Sequence, residues 1–112
     1  MAGTYKLRKS QDQKFFFNLL AENDEKILTS ETYNAKSGAL NGIESVRQNS
    51  QSDSNYKHKQ STRGLPYFVL VAANGEIIGT GEEYTSPAAM DKGIAAVKRL
   101  ASDAVVKDLS KT

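Results

Sequence analysis

The sequence predicts an α+β protein in which two tandem β-β-β-α-β repeats form one pseudo-twofold, mainly antiparallel sheet with two helices on one face. Three observations support this prediction: residues recur at a spacing of 51, each copy alternates apolar and polar residues, and each copy then changes to a helical period. The recurring residues include Phe17, Leu19, Ala21, Ile27, Thr29, Glu31, Tyr33, Gly42, Ile43 and Val46, which return as Phe68, Leu70, Ala72, Ile78, Thr80, Glu82, Tyr84, Gly93, Ile94 and Val97.

Three strands are predicted in each copy because apolar runs with period two are bounded by turn residues. They cover residues 4–9, 14–21 and 26–33, then 55–59, 66–73 and 77–84. Asn23-Asp24 and Asn74-Gly75 lie between the second and third strands of each copy. Asn-Gly is typical of a type I′ hairpin turn, in which both central residues have positive φ. We therefore predict two equivalent hairpins with this turn.

A helix follows the third strand in each copy, near 35–49 and 86–101. Ser86-Pro87 predicts the second start, because serine caps a helix and proline fits its first turn. Alanine stands at position 35, so Asn34 or Ser37 is expected to cap the first helix. The glycines at 42 and 93 interrupt the helices, which predicts a close approach of backbone to backbone.

The first-strand pattern occurs three times, at 4–8, 55–59 and 106–110. We expect one domain over residues 1–112, with repeats at about 4–54 and 55–109. The strand after each helix is available to pair with the opposite copy. The chain is therefore expected to be a monomer that resembles a fused dimer, since one 51-residue unit alone would bury too little surface.

Comparison of the copies predicts the two faces of the sheet. Positions identical in both copies are expected to lie under the helices, where packing tolerates little change in volume. The alternate positions then form the opposite face, which we expect to be an exposed apolar patch that also includes Leu28 and Ile77. The candidate binding face consists of Phe16, Leu20, Tyr67, Val69 and Val71.

The segments 17–33 and 36–49 closely resemble the repeat of the YegP-like family of small bacterial proteins, and so do residues 73–78 and 93–98. The resemblance covers nearly the whole chain, including the ending Val106-Lys-Asp-Leu109. It implies an α+β fold in which two units form a continuous sheet. It implies no activity, because no biochemical function is established for this family.

Composition narrows the classes of function. There is no cysteine, so disulfides, thiolate nucleophiles and cysteine-type zinc sites are excluded. No signal-peptide pattern or long apolar run is present, so we expect a cytoplasmic protein without a membrane segment. No catalytic triad, phosphate-binding loop or histidine-rich spacing occurs. We expect no enzymatic activity, no catalytic or cofactor-binding residues, no bound metal and no cofactor.

The remaining polar candidates are Glu31 with Tyr33 and Glu82 with Tyr84. If the pseudo-twofold brought the glutamates together, they could act in acid–base chemistry or bind a hard metal. We favour a structural role, in which each carboxylate accepts hydrogen bonds from the first turn of the following helix. His58 lies between two lysines and is expected on a solvated strand edge.

Two binding hypotheses remain. The first, favoured because the net charge is only +2, is a protein-interaction or small-ligand surface on the candidate binding face. The second is a single-stranded nucleic-acid site, in which Lys6, Arg8, Lys57 and Lys59 bind phosphates and Phe16 and Tyr67 stack on bases. The alternative explanation for the lysines is protection of edge strands from aggregation.

Overall fold

The computed structural model describes residues 3–110. Its elements in chain order are β1 (Thr4–Lys9), β2 (Phe15–Leu20), β3 (Lys26–Ser30), α1 (Lys36–Asn49), a 3-10 turn (Asp53–Asn55), β4 (Tyr56–Gln60), β5 (Pro66–Val71), β6 (Ile77–Thr80), α2 (Pro87–Leu100) and β7 (Val105–Asp108). The third strand of each repeat ends earlier than predicted, at Ser30 and Thr80.

The seven strands within residues 3–110 form one sheet in the order β4-β5-β6-β3-β2-β1-β7. The two repeats meet where β3 pairs antiparallel with β6, and Thr29 lies opposite its own counterpart Thr80. This pairing places the pseudo-twofold axis at the centre of the sheet. The predicted fold class is confirmed, and the one parallel pair in the described sheet is β1 with β7.

The strands that follow the helices behave differently from each other. β7 crosses to pair with β1 of the first repeat, as predicted. β4 pairs only with β5 of its own repeat, so the prediction that it would join the opposite copy is wrong. The reason is that β4 itself fills the first-strand position of the second repeat, which leaves no further strand to lie beside it within residues 3–110.

Both predicted hairpins are present, but their turn is not type I′. The Asp24 N–H donates to the Ala21 C=O (2.9 Å), and the Ala21 N–H donates to the Glu25 C=O (2.8 Å). Asp24 and Gly75 have φ of 67° and 85°, whereas the asparagines before them do not have positive φ. The loop is therefore a type I turn followed by one left-handed residue, which is a common three-residue hairpin.

The start of α2 is as predicted, because the Ser86 side chain accepts a hydrogen bond from the Ala89 N–H (3.1 Å). At α1 the N-cap is Ala35, and no side chain caps it. The prediction that Asn34 or Ser37 would cap α1 is therefore wrong. The first helix depends more on packing than on its own terminus.

A β-bulge changes which residues of β3 face the helices. Leu19 pairs with Leu28 but Leu20 pairs with Lys26, so one extra residue is inserted in β3. Ile27 and Leu28, although adjacent in sequence, both belong to the core. The prediction that Leu28 lies on the opposite face is wrong, and a strict period of two could not reveal the bulge.

Leu28 also explains one difference between the repeats. Its counterpart is Gly79, and a Cβ added there would lie 2.8 Å from the Leu28 side chain. The two positions are diagonal neighbours across the Thr29–Thr80 pair, near the pseudo-twofold axis, so one leucine fills the space that two could not share. Thr29, although identical in both copies, lies on the face away from the helices, because it pairs with Thr80 and Asn18.

The helices are held to the sheet by a repeated tyrosine arrangement. The Tyr5 hydroxyl donates to the Ala101 C=O at the end of α2 (2.7 Å), and the Tyr56 hydroxyl donates to the Ser50 C=O at the end of α1 (2.8 Å). Burial raises the pKa of both hydroxyls well above the ordinary value, so both remain donors at physiological pH. The predicted core residues Phe17, Leu70, Ile43 and Ile94 are all buried.

The glycines inside the helices accommodate tyrosine side chains. A Cβ at Gly42 would overlap the Tyr33 hydroxyl, and one at Gly93 would overlap the Tyr84 hydroxyl. A close approach was predicted, but it is between side chain and helix, not between two backbones. No helix in the described part of the chain is long and apolar enough to cross a membrane.

Candidate functional site: the helix-free face of the sheet

Alternation along the strands defines the surface that we call the helix-free face. Tyr5, Leu7, Phe17, Phe68 and Tyr56 point into the core, so their strand neighbours point away from the helices. The helix-free face consists of Thr4, Lys6, Arg8, Phe16, Asn18, Leu20, Lys26, Thr29, Lys57, Lys59, Tyr67, Val69, Val71, Ile77, Thr80, Val105 and Lys107.

One row crosses this face and takes one residue from each strand. In sheet order it contains Lys57, Val69, Thr80, Thr29, Asn18, Lys6 and Lys107. Asn18 Nδ2 donates to Thr29 Oγ1 (2.9 Å), which fixes the amide at the centre of the row. The row thus has hydrogen-bonding groups in the middle and cations at both ends.

The apolar side chains of the candidate binding face are mostly covered. Leu20, Val69 and Val71 are only 6%, 4% and 8% exposed. Val69 lies between Lys57 and Thr80 on the neighbouring strands, and long side chains of this kind cover apolar neighbours with their stems. The expectation of an exposed apolar patch is therefore wrong for these three residues.

Phe16 and Tyr67 are half-buried and remain accessible. Each lies opposite a cation, Phe16 across from Arg8 and Tyr67 across from Lys59. Their strands are three steps apart and run in opposite directions, so ideal sheet spacings place the two residues roughly 20 Å apart. The face therefore carries two equivalent aromatic–cation pairs related by the pseudo-twofold.

Charge is distributed unevenly between the sheet and the rest of the chain. Within the strands that the structure describes, the basic residues are Lys6, Arg8, Lys9, Lys26, Lys57, Lys59 and Lys107, and the one acidic residue is Asp108. Asp108 lies opposite Leu7 on the helix side and forms an ion pair with Lys36 of α1 (2.8 Å). The small net charge of the whole chain thus conceals a strongly basic sheet face.

Edge protection does not explain all of these cations. Lys57 and Lys59 are on β4, which is an edge strand, but Lys6 and Arg8 are on β1, which is covered by β7. Lys6 also has Lys107 as its direct neighbour across the strands. Like charges in that position destabilise a sheet, so their presence calls for a reason other than folding.

The predicted polar site does not form a carboxylate pair. Glu31 and Tyr33 line a groove of about 410 Å³ beside α1, and Tyr84 lines a separate groove of about 440 Å³ beside α2. Because Thr29 pairs with Thr80 in antiparallel strands, Glu31 and Glu82 lie on opposite sides of the axis. Both glutamates are exposed. The two grooves are equivalents under the pseudo-twofold, not halves of one site.

The tyrosines in these grooves have raised pKa values. For Tyr33 the main cause is burial and the second is the charge of Glu31, and for Tyr84 burial is followed by Glu82 and Glu25. A raised pKa keeps both phenols protonated, so neither is prepared to act as a base near neutral pH. Among residues 3–110 no cluster of three or more acidic or histidine side chains could hold a metal ion.

Sequence reasoning missed a second feature, a pocket of about 340 Å³ beside β4. It is lined by Asp53, Tyr56, His58, Asp91, Ile94, Ala95 and Lys98. His58 is exposed there, in agreement with its predicted position on a strand edge. The sequence did contain a signal for it, because the first-strand pattern occurs three times. Two copies of the pattern start the repeats and the third can cover only one of them, so the two edges of the sheet must differ.

The fold, the two aromatic–cation pairs and the two grooves define a class of protein: a tandem-repeat α+β protein with one continuous sheet and duplicated surface features. A sequence model of the family described as Domain of unknown function (DUF1508) matches residues 10–56 and again residues 61–108. The chain belongs to this family, as its resemblance to YegP-like proteins implied.

Curated relatives match over nearly their whole length. The UPF0339 protein of Shewanella oneidensis is 48% identical over 110 residues, which are 98% of this chain and 100% of the relative. The UPF0339 protein YegP of Escherichia coli K12 is 45% identical over 108 residues, which are 96% of this chain and 98% of that protein.

Solved structures agree with the fold. The solution NMR structure of the Shewanella oneidensis protein matches with a TM-score of 0.91 at 48% identity, over 98% of this chain and 93% of that one. The solution NMR structure of Escherichia coli yegP matches with a TM-score of 0.94 at 44% identity, over 100% of this chain and 97% of that one. That structure is described as a protein of unknown function, so the comparisons identify the family and leave the activity uncharacterised.

Proposed function

We propose that the protein binds single-stranded nucleic acid across the helix-free face, without catalysis, in the cytoplasm. The observation that supports this proposal is the segregation of charge. Strands β1, β4 and β7 contribute five cations to the face, Lys6, Arg8, Lys57, Lys59 and Lys107, whereas the one acidic residue of the described strands, Asp108, is on the helix side. A flexible polyanion would neutralise this charge, and a single strand can follow a twisted sheet.

The other groups on the face suit the same ligand. Phe16 and Tyr67 offer ring surfaces beside cations, and base–aromatic stacking is worth about 1–3 kcal/mol per base. The half-buried Thr29 and Thr80 supply hydroxyl groups between them, and the buried Asn18 donates to the Thr29 hydroxyl. The two aromatic–cation pairs are equivalent, so a strand spanning both would meet similar chemistry at each end.

The test is fluorescence anisotropy with a labelled 12-nucleotide single strand at several salt concentrations. Neutralising five phosphates predicts a slope of log affinity against log salt of about −3.5. Lys6→Gln with Arg8→Gln should reduce the magnitude of that slope by about 1.4, because two phosphate contacts are lost. The matched control is Lys92→Gln with Arg99→Gln on α2, which removes the same charge away from the face.

Binding that does not depend on salt, or that responds equally to both double variants, would contradict the proposal. Tyr67→Leu provides a second measurement, because it keeps apolar volume and removes the phenol ring. We expect it to weaken binding without changing the salt slope.

A protein-interaction surface remains the alternative, supported by the half-buried rings of Phe16 and Tyr67. It has less support than the sequence suggested, because Leu20, Val69 and Val71 are buried. Absence of oligonucleotide binding at low salt would favour this alternative.

A further inference from the structure

The two edges of the sheet are not equivalent, although the repeats are. β1 and β4 are the first strands of their repeats, but β1 is covered by β7 in parallel, whereas β4 is the last strand at its end of the described sheet. The β7 contacts include Leu109 N–H to Leu7 C=O (2.7 Å) and Val105 N–H to Gly3 C=O (3.2 Å). The first repeat therefore shows how an added strand fits beside a first strand of this fold.

Without such a strand, the second repeat is more open at each matching position. Leu7 is fully buried, while its counterpart His58 is exposed. Ile43 is 1% exposed and Ile94 is 8% exposed. The pocket beside β4 lies at this place, with Tyr56 and Ile94 among its lining residues and His58 at the strand edge.

The backbone groups that point outward from β4 follow from the same comparison. The Leu7 C=O points toward β7, since it accepts a hydrogen bond from the Leu109 N–H. His58 is the counterpart of Leu7, so its C=O points toward the open edge. The N–H and the C=O of one residue in a strand point to the same side, so the His58 N–H points there as well. An exposed row of such groups is a template for an added strand.

We propose that β4 binds an extended peptide that runs parallel to it and occupies the position that β7 occupies beside β1. The peptide has apolar residues opposite Tyr56 and His58, whose side chains are on the helix side, as Val106 of β7 lies opposite Tyr5. It has acidic residues opposite Lys57 and Lys59, which are exposed on the other side. Strand addition gives affinity through the backbone and specificity through alternate side chains.

A second copy of the chain is a poorer occupant. Antiparallel pairing of two β4 strands centred on His58 would place Lys57 opposite Lys59 twice, and like charges directly opposite destabilise a sheet. A second copy's β7 is already paired with its own β1 and anchored by the Lys36–Asp108 ion pair (2.8 Å). An acidic and apolar peptide meets neither obstacle.

The probe is a synthetic peptide, acetyl-Thr-Val-Glu-Val-Glu-Thr-amide, titrated into the full-length protein labelled with ¹⁵N. We expect shift changes at the amides of β4 and of the α2 residues that line the pocket, together with slower hydrogen exchange at the His58 N–H. Two control peptides test the chemistry: one with lysine in place of glutamate, and one N-methylated at alternate residues. Each should bind at least tenfold more weakly.

A protein variant tests the edge itself. His58→Pro removes the outward N–H, and proline is tolerated on an edge strand where its N–H would face solvent. We expect this variant to lose peptide binding and keep oligonucleotide binding, while Lys6→Gln with Arg8→Gln should do the opposite. If His58→Pro does not fold, the N-methylated peptide provides the same test with the unaltered protein.

The proposal is overturned if millimolar peptide causes no shift at β4, or if all three peptides bind equally. It is also overturned if the protein is a dimer in solution whose β4 amides are already protected, since a second copy would then occupy the edge. Failure of oligonucleotide binding leaves these outcomes unaffected, so the two proposals can fail separately.

Discussion

Replacement of Gly42 in α1 by alanine should destabilise the protein, although the same change stabilises most helices. A glycine inside a helix costs about 1 kcal/mol relative to alanine, so helix propensity alone favours the substitution. At Gly42, however, a Cβ would lie 2.9 Å from Tyr33 Cζ and 3.1 Å from Phe17 Cε2, and closer still to the Tyr33 hydroxyl. Overpacking of this kind costs about 1–3 kcal/mol, and subtracting the gain in helix propensity predicts a net loss of up to about 2 kcal/mol.

Gly38 in the same helix is the matched control. A Cβ there would be 3.4 Å from the nearest Tyr33 atoms, which is ordinary contact. Gly38→Ala should therefore stabilise the protein by up to about 1 kcal/mol. The opposite signs of two identical substitutions in one helix would show that the tyrosine ring, not the helix, determines the outcome at position 42.

Urea unfolding followed by circular dichroism measures both effects, and a double-mutant cycle identifies the cause. In a Tyr33→Ala background the contacts with the tyrosine ring are absent, and the Phe17 ring can move into the space that tyrosine leaves, so Gly42→Ala should change sign and stabilise by up to about 1 kcal/mol. The reasoning is refuted if Gly42→Ala stabilises the unmodified protein, or if its cost persists after the ring is removed.

Three further predictions concern the turn, the axis and the terminal strand. Gln13 has φ of 68°, and its counterpart in the second repeat is Gly64, with φ of 79°. Gln13→Gly should therefore raise the unfolding free energy, measured by urea denaturation, by up to about 1 kcal/mol. A lower unfolding free energy would mean that contacts of the Gln13 side chain outweigh the backbone strain. Leu28→Ala should lower the unfolding free energy by about 2–5 kcal/mol, and Gly79→Ala alone should also lower it. In the double variant, Gly79→Ala should recover part of the loss caused by Leu28→Ala. Strictly additive losses in this double-mutant cycle would refute a contact between the two positions across the axis. The Lys36 ammonium, and after it the hydrogen bonds from Ser110, lower the pKa of Asp108 well below its usual range. Asp108→Asn should therefore lower the unfolding free energy by a constant amount above about pH 4, and by less as the pH falls further. Urea titrations at pH 7 and pH 3 would check it, and a difference that grows at low pH would contradict it.

The sequence by itself determined the repeat, the order of the elements and the helix boundaries to within a residue. It did so because these depend on local patterns: the alternation of Tyr5 and Leu7, the cap at Ser86, and the turn at Asn74-Gly75, whose asparagine recurs at Asn23. The duplication also predicted that one sheet would serve both units, since neither unit has enough apolar surface alone.

Only the tertiary structure decided which residues share a surface. The bulge in β3 reversed the orientation of Leu28, and one extra residue in a strand leaves no mark on a pattern of period two. The seven-strand order brought Lys6, Lys57 and Lys107, which are far apart in the chain, into one row. The burial of Val69 arises from neighbours on other strands. The edge of β4 is open because residues 3–110 provide one covering strand for two equivalent edges. These features depend on pairing between distant segments, whereas composition and local periodicity describe only segments that are adjacent in the chain.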